Sequence, residues 1–263
     1  MQFLNQVRRS LGKILCPYRR VWSDSRWDSR LDPRSDPYYP RQKSCQIPNL
    51  EFLFEKFFGQ RETGTFVEIG AHDGVLVSNT WGLAARGWQG WMVEPVPNLA
   101  ARCRLNHEFH KDVKVFDQAI GSAETNEVTL FVADALTTAN PELFEEYSTL
   151  PWATSSLSQE KITVPSTTLD DFLARCEVPV GFDVLVVDVE GFEAAVFSGF
   201  QVNLWQPKMM IVELADTHPD LTVTAKSDYE LSSKLQSEGY TIVYKDSINT
   251  VFVRQGICDL ACG

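Results

Sequence analysis

Acidic side chains at or beside the ends of four predicted strands are the first candidates for chemistry in this sequence. Glu68 lies within "TFVEIG", Glu94 ends "GWMVE", and Glu213 ends "MMIVE". In "DVLVVDVEGF", Asp188 follows an apolar strand and Glu190 comes two residues later. Two carboxylates at i and i+2 of a strand point to one side. There they could bind an amino group, coordinate a metal ion or remove a proton.

A glycine-containing loop follows the first of these strands, in "EIGAHDG". Gly70 and Gly74 would allow a sharp turn and a close backbone approach to a ligand. Their G-x-x-x-G spacing is neither that of dinucleotide-binding loops nor that of phosphate-binding loops. No Lys, Ser or Thr follows directly, which argues against a triphosphate. His72 and Asp73 make the loop polar, and an acid there suits a cationic ligand better than a pyrophosphate.

Glu94 suggests what this ligand contains. An acid at the tip of the second strand of an open α/β sheet can accept hydrogen bonds from both hydroxyls of a ribose. A ligand with a ribose, a cationic group and no polyphosphate fits S-adenosylmethionine. The alternative for Glu94 alone is a solvated strand end, but its place beside the glycine loop favours the ribose contact.

Alternating strands and helices must position these residues. Strands are predicted at 66–69, 90–93, 113–116, 127–132, 162–164, 184–187, 209–212, 240–244 and 250–253. Helices are predicted at 50–58, 78–86, 98–106, 169–176, 192–200 and 227–238, with Thr168 capping the fourth. The alternation predicts an α/β fold with a doubly wound, mostly parallel sheet and an antiparallel final hairpin. Residues 134–160 are predicted to be irregular and, with loop 214–226, to form the acceptor wall.

The charge is unevenly distributed and divides the chain into a basic arm and an acidic body. The net charge is −11, but residues 1–43 contain ten Lys and Arg and four Asp, a balance of +6. The rest therefore carries −17, which argues against nucleic acid as the main ligand. We expect an arm over 1–47, a catalytic or binding domain over 48–255, and a tail over 256–263.

The arm begins with a basic amphipathic pattern over residues 1–20, and a polar, proline-containing stretch follows. We predict that this arm contacts the acidic body of a second subunit in a homodimer. Peripheral contact with an anionic membrane and an unstructured tail are the alternatives.

Composition bears on the cellular compartment. No apolar run approaches the ~18 residues that a membrane helix needs, and the N-terminal stretch lacks the apolar core of a signal peptide. Six scattered cysteines are poor evidence for a disulfide framework and suit the cytoplasm. Cys258 and Cys262 have no second pair or nearby histidine, so we expect free thiols rather than a zinc site.

From about Thr65 to Val253, the sequence resembles the FkbM family of S-adenosylmethionine-dependent methyltransferases. The resemblance rests on "VEIGAHDG", "VEPVPNLAARCRLN", "QAIGSAE", "VPSTTLDDFL" and "DVLVVDVEGFEAAVFSGF", in this order. It implies a class I methyltransferase fold and transfer of a methyl group to oxygen, often a hydroxyl of a sugar or natural product. His72 stands where the family usually has Asn.

The resemblance also implies roles for individual residues. The residues expected to hold the cofactor are Glu68, Gly70, Gly74 and Glu94, with Asp117 or Gln118 at the adenine edge and Phe116 against its face. His72, in the same loop, is also expected to lie against the cofactor. Asp188 and Glu190 should line the place where the methyl group leaves, and Asp188 could also bind the cofactor's amino group.

An O-methyltransferase needs a base for the acceptor hydroxyl, and the candidates are Asp188, Glu190, Glu213 and His218. We predict no resident metal; if a divalent ion assists, the three carboxylates would be its ligands. The alternative from another class is a methyltransferase-like protein that only binds or scaffolds. An NAD-dependent enzyme is disfavoured by the glycine spacing. Trp152 is a candidate for carbohydrate stacking, although most tryptophans are core residues.

Overall fold

A seven-stranded sheet with helices on both faces positions the acidic residues. The computed structural model describes residues 45–158 and 160–257 of the 263-residue chain. The arm, apart from its last three residues, and the Cys258–Cys262 pair lie outside the described residues, so the proposals made for them stay predictions.

The strands of the large sheet are β1 (Thr65–Ile69), β2 (Gln89–Val93), β3 (Val113–Phe116), β7 (Val184–Val187), β8 (Met209–Glu213), β9 (Tyr240–Lys245) and β10 (Asn249–Arg254). A small sheet contains β4 (Ala119–Ile120), β5 (Glu127–Phe131) and β6 (Lys161–Thr167). The helices are α1 (Leu50–Phe58), α2 (Trp81–Ala85), α3 (Pro97–Asn106), α4 (Pro141–Thr149), α5 (Leu169–Arg175), α6 (Glu193–Ser198), α7 (Val202–Trp205) and α8 (Ala225–Ser237).

The order of the large sheet is β3-β2-β1-β7-β8-β10-β9. β1, β2, β3, β7 and β8 are parallel, and β10 is antiparallel to both β8 and β9, which confirms the predicted hairpin. The chain runs outward from β1 to β3 and then crosses to the other side of β1. The order therefore reverses between β1 and β7, where open α/β sheets bind ligands.

Both faces of the sheet are buried, because alternate side chains of its strands enter two hydrophobic cores. Val67 and Leu185 face a core shared with α5, α6, α7 and α8. Phe66 and Val184 face a second core shared with α1, α2 and α3. Burial on both faces explains the nearly continuous apolar strands of the sequence.

The structure corrects the prediction for residues 134–160 and refines that for 192–200. Pro141–Thr149 forms a helix because the Asn140 side chain accepts hydrogen bonds from the N–H groups of Glu142 and Leu143. The helix predicted at 192–200 is shorter, and α7 follows it as a separate turn. The Thr168 cap is confirmed by its hydrogen bond from the Asp171 N–H.

Two expectations from composition can be compared with the structure. Within residues 45–158 and 160–257, no helix combines the length and apolar character that crossing a bilayer requires. Cys45, Cys103 and Cys176 are free thiols, and burial raises the pKa of Cys45 to about 12. The cytoplasmic location stays a prediction.

Asp183, at the start of β7, ties the ends of the strands opposite the site. Its carboxylate accepts hydrogen bonds from Arg61 Nη2 at 2.8 Å, Lys208 Nζ at 2.6 Å and the Thr65 N–H at 2.9 Å. We expect Asp183→Asn to lower the free energy of unfolding by about 2 kcal/mol, because it weakens the hydrogen bonds that a buried carboxylate accepts from two partly exposed cations. Urea denaturation would measure this, with exposed Asp112→Asn as the control. Equal stability of the two variants would contradict the assignment.

Candidate active site

The switch between β1 and β7 brings the glycine loop against Asp188. Gly70 has a φ of +87°, and a Cβ on it would collide with the backbone oxygen of Asp188. The Gly70 and Ala71 N–H groups both donate to the Val93 carbonyl, at 2.9 and 3.0 Å. The ends of β1, β2 and β7 converge at Gly70, and this convergence leaves no space for a side chain.

Gly74 is required for packing on the other side of the loop. A Cβ on Gly74 would lie 2.7 Å from Cys103 Sγ and 2.8 Å from the His107 ring, both on or next to α3. The Asp73 carboxylate accepts hydrogen bonds from the backbone N–H groups of Val75 and Leu76. Burial opposes its ionisation, but the His72 ring and these N–H groups lower the pKa of Asp73 to about 2. The two glycines thus make room for protein atoms, and their contact with the cofactor stays a prediction.

Glu94 joins the loop to the end of β2. Its side chain is buried, and its two oxygens accept the His72 N–H and the Val96 N–H, each at 2.8 Å. Burial raises the pKa of Glu94 to about 7. Because each carboxylate oxygen can accept a second hydrogen bond, the predicted ribose contact is still possible.

Glu68 and the His72 ring have protein partners of their own. The Thr80 hydroxyl donates to Glu68 at 2.6 Å, and burial raises the pKa of Glu68 to about 8. The His72 ring lies 3.3 Å from Asp134 and 3.6 Å from Asp73. Burial disfavours its charged form, but these two carboxylates raise the pKa of His72 overall.

Three of the predicted catalytic residues meet beyond β7 and β8. One carboxylate oxygen each from Asp188, Glu190 and Glu213 lies within 4.8 Å of the others. Burial raises the pKa of all three, that of Glu190 to about 8. Burial and the neighbouring carboxylates of Asp188 and Glu190 raise the pKa of Glu213 well above its ordinary value. The absence of a resident metal stays a prediction, since three oxygens this close could also bind a cation.

Glu190 is held by two residues that sequence reasoning missed. Its backbone is left-handed, with a φ of 52°. The Thr138 hydroxyl donates to the Glu190 carbonyl, and the Tyr147 hydroxyl donates to its carboxylate, each at 2.5 Å. The Asn140–Pro141 pair, a typical helix start, could have revealed α4 and hence the buried face that carries Tyr147.

The two segments predicted to form the acceptor wall contact each other. The Glu146 carboxylate on α4 accepts hydrogen bonds from the Thr222 N–H at 2.9 Å and the Thr222 hydroxyl at 2.6 Å. Trp152 Nε1 donates to Asp220 at 3.2 Å. The cavity that Tyr147 lines beneath these contacts has a volume of about 10 Å³, room for roughly one water molecule. An acceptor bound at the place predicted for it would have to displace part of this cover.

His218 differs from the three carboxylates. Its Nδ1 accepts the N–H groups of Asp220 and Leu221, at 3.1 and 3.2 Å. Burial lowers its pKa. Because the nitrogen with the free lone pair is already occupied, this geometry favours a carboxylate as the base.

The predicted adenine edge lies after β3. Asp117 is exposed and pairs with Arg104 at 2.8 Å. Gln118 is half-buried, and its side-chain oxygen accepts from Arg175 at 2.8 Å. Phe116 is half-buried at the same strand end. Gln118 is thus better placed than Asp117 to donate a hydrogen bond to the adenine ring of a cofactor.

Three buried polar atoms at this edge have no hydrogen-bond partner among the described residues. They are His72 Nδ1, Gln118 Nε2 and Glu213 Oε2. Buried polar atoms are normally paired, so each unpaired one calls for an explanation. A polar ligand along the ends of β1, β3 and β8 would supply the missing partners.

The raised pKa of Glu190 predicts how stability depends on pH. The folded state retains this proton between about pH 4.5 and about 8, where the unfolded chain releases it. The free energy of unfolding should therefore fall as pH rises through this window. Glu190→Gln should flatten the fall and add on the order of 1 kcal/mol at pH 8. Denaturation curves at pH 6 and 8, with exposed Glu145→Gln as the control, would test this, and parallel curves for wild type and Glu190→Gln would refute it.

Several solved structures are similar to the chain at low identity. An O-methyltransferase from Bacillus cereus in complex with SAH is 12% identical, with 83% of this chain and 87% of that chain covered and a TM-score of 0.46. A fibrillarin from Methanococcus jannaschii is 12% identical, with 85% and 76% covered and a TM-score of 0.41. No curated protein sequence matches the chain. Because both TM-scores are below 0.5, neither structure is used to assign the family or the fold of this chain. The fold assignment rests on the strand order, and the family assignment rests on the sequence match described next.

Residues 68–242 match the Methyltransferase FkbM domain, about two thirds of the chain. The match begins at Glu68 in β1 and ends in β9, so it includes the glycine loop, the acidic cluster and most of the sheet. The predicted class I methyltransferase fold, with its doubly wound sheet and antiparallel final hairpin, is confirmed. The chain belongs to the FkbM family of methyltransferases, whose cofactor is S-adenosylmethionine.

Proposed function

We propose that this protein is an O-methyltransferase that methylates a hydroxyl group of a sugar, a glycan or a small natural product. The observation that carries the proposal is the cluster of Asp188, Glu190 and Glu213 beside the glycine loop. Removing a proton from a hydroxyl requires a base next to the methyl donor, and the family match supplies the reaction type. The acidic body disfavours a nucleic acid acceptor.

The unpaired polar atoms fit parts of S-adenosylmethionine. Glu94 retains acceptor capacity for the ribose hydroxyls, and Gln118 Nε2 can donate to the adenine. Asp188, a carboxylate in the cluster beside the glycine loop, suits the amino group of the cofactor. When bound, the cofactor supplies an electrophilic methyl group on a sulfonium.

Glu190 ranks first among the candidate bases. Burial and the neighbouring carboxylates raise the pKa of Glu213 well above its ordinary value, and the acceptor nitrogen of His218 is occupied. Burial raises the pKa of Glu190 to about 8, so only a fraction of the molecules have its carboxylate free at neutral pH, but in that fraction it is a strong base. The Tyr147 hydroxyl fixes the orientation of the Glu190 carboxylate.

The cover over the cluster provides the remaining requirement, which is alignment. In-line methyl transfer depends on holding the nucleophile against the methyl carbon, so positioning carries much of the rate. Helix α4 and loop 214–226 enclose the cluster and would exclude water once the acceptor is bound. Trp152, half-buried in this cover, is our candidate for contact with a sugar ring.

The ribose assignment can be tested with SAH and its 2′-deoxy analogue. Wild type should bind SAH roughly tenfold or more tightly than the analogue, because a hydrogen bond to a charged group is lost. In Glu94→Gln both ligands should bind weakly and almost equally, since the carboxylate is gone. Calorimetry would measure the four affinities, with Glu124→Gln as the surface control. Discrimination that persists in Glu94→Gln would rule out the ribose contact.

Turnover tests the base and separates enzyme from scaffold. A panel of hydroxylated sugars and natural products should include one that wild type methylates from labelled S-adenosylmethionine. Glu190→Gln should then reduce kcat by about 10²–10⁴-fold while cofactor affinity is kept. Full activity in this variant would move the base to another residue. Cofactor binding without methylation of any panel member would favour the scaffold alternative.

A further inference from the structure

The end of α3 holds the cofactor loop from behind through two consecutive carbonyl groups. Asn106 Nδ2 donates to the Asp73 carbonyl at 2.8 Å, and His107 Nε2 lies 3.0 Å from the Gly74 carbonyl. We propose that His107 is a positioning residue for the cofactor, which fixes the loop in the shape that binds S-adenosylmethionine. This inference uses only the cofactor of the proposed function and does not depend on the acceptor.

The His107 ring is closely packed between Gly74 and Trp81. It is 4% exposed, and the missing side chain of Gly74 is what lets the ring approach the loop. Trp81 on α2 packs against the ring with a centroid distance of 4.8 Å and an interplanar angle of 61°. A larger residue at position 74 cannot be accommodated unless the His107 ring or the Cys103 side chain moves.

The hydrogen bonds set the protonation of His107. A carbonyl can only accept, so Nε2 carries the proton and Nδ1 has the free lone pair. His110 Nδ1 lies 2.9 Å from that nitrogen and donates to it. His110 thus donates to His107, and His107 donates to the Gly74 carbonyl, so this hydrogen-bond chain ends on the loop with His107 neutral.

The surrounding charges agree with a neutral His107. Burial lowers its pKa to about 4, and His110 also lowers it, whereas the Gly74 carbonyl and the Asp73 carboxylate act in the opposite direction. From α3, Cys103 faces the same space as a protonated thiol, because burial raises its pKa. Burial lowers the pKa of His110 as well, so the pair stays uncharged near neutral pH.

The same loop also contacts Glu94, the residue proposed to bind the ribose. The His72 N–H donates to Glu94, two residues before the carbonyl that His107 holds. A shift of Gly74 therefore changes the angle at which the loop meets Glu94. His107 acts on the cofactor through the backbone and does not touch it.

Two substitutions of different chemistry test the proposal. His107→Leu keeps bulk but has no donor, and we expect it to bind SAH roughly tenfold more weakly than wild type at pH 7.5. His107→Gln keeps a side-chain N–H donor and should restore most of the affinity. Phe54→Leu, on the buried face of α1, is the control that loses stability without losing affinity. Calorimetry below the Tm of every variant gives the affinities of wild type and the three variants.

Ring ¹⁵N shifts supply a second measurement. His107 should show the neutral Nε2–H form from pH 7.5 down to pH 5.5, where an ordinary histidine is charged. The proposal is overturned if His107 titrates normally, or if His107→Leu binds SAH as well as wild type. Equal losses in the Leu and Gln variants would also overturn it, since bulk packing would then be the cause. If wild type itself binds no SAH, the cofactor assignment fails instead.

Discussion

The burial of carboxyl groups at one edge of the sheet is the constraint on which the rest of the site depends. An uncompensated buried charge costs several kcal/mol, and among the described residues no Lys or Arg forms an ion pair with Glu94, Asp188, Glu190 or Glu213. Raised pKa values, which favour the neutral carboxyl groups, offset this cost, as do hydrogen bonds from Tyr147 and from backbone N–H groups. A cationic ligand relieves the same cost, so the edge is electrostatically suited to a sulfonium and an ammonium group.

The scaffold delivers these acids by aligning β1 with β7. Phe66 pairs with Val184 at the start of the two strands, and their far ends meet where Gly70 packs against the Asp188 backbone. A side chain at Gly70 would separate the glycine loop from the acidic cluster. The cofactor loop and the proposed base are therefore one unit, whose spacing is set by backbone contact and not by side-chain flexibility.

Much of this arrangement could be predicted because it follows from local rules. Apolar strands ending in acids located Glu94, Asp188 and Glu213, since parallel strands end at one edge. The place of Tyr147 could not be predicted, because its contact with Glu190 joins positions 43 residues apart through a left-handed turn. The packing role of Gly74 could not be predicted from the sequence either. The glycine pattern predicts a turn but does not show that α3 packs against the loop.

The same helix both covers the site and orients the proposed base. Glu146 binds loop 214–226 and Tyr147 binds Glu190, and the two residues are adjacent on α4. If an acceptor enters by a movement of α4, as the proposed function requires, that movement would loosen the Tyr147 hydroxyl from Glu190. The acceptor hydroxyl could then replace the tyrosine hydroxyl against the Glu190 side chain. In this proposal, opening of the cover and release of the base are a single event.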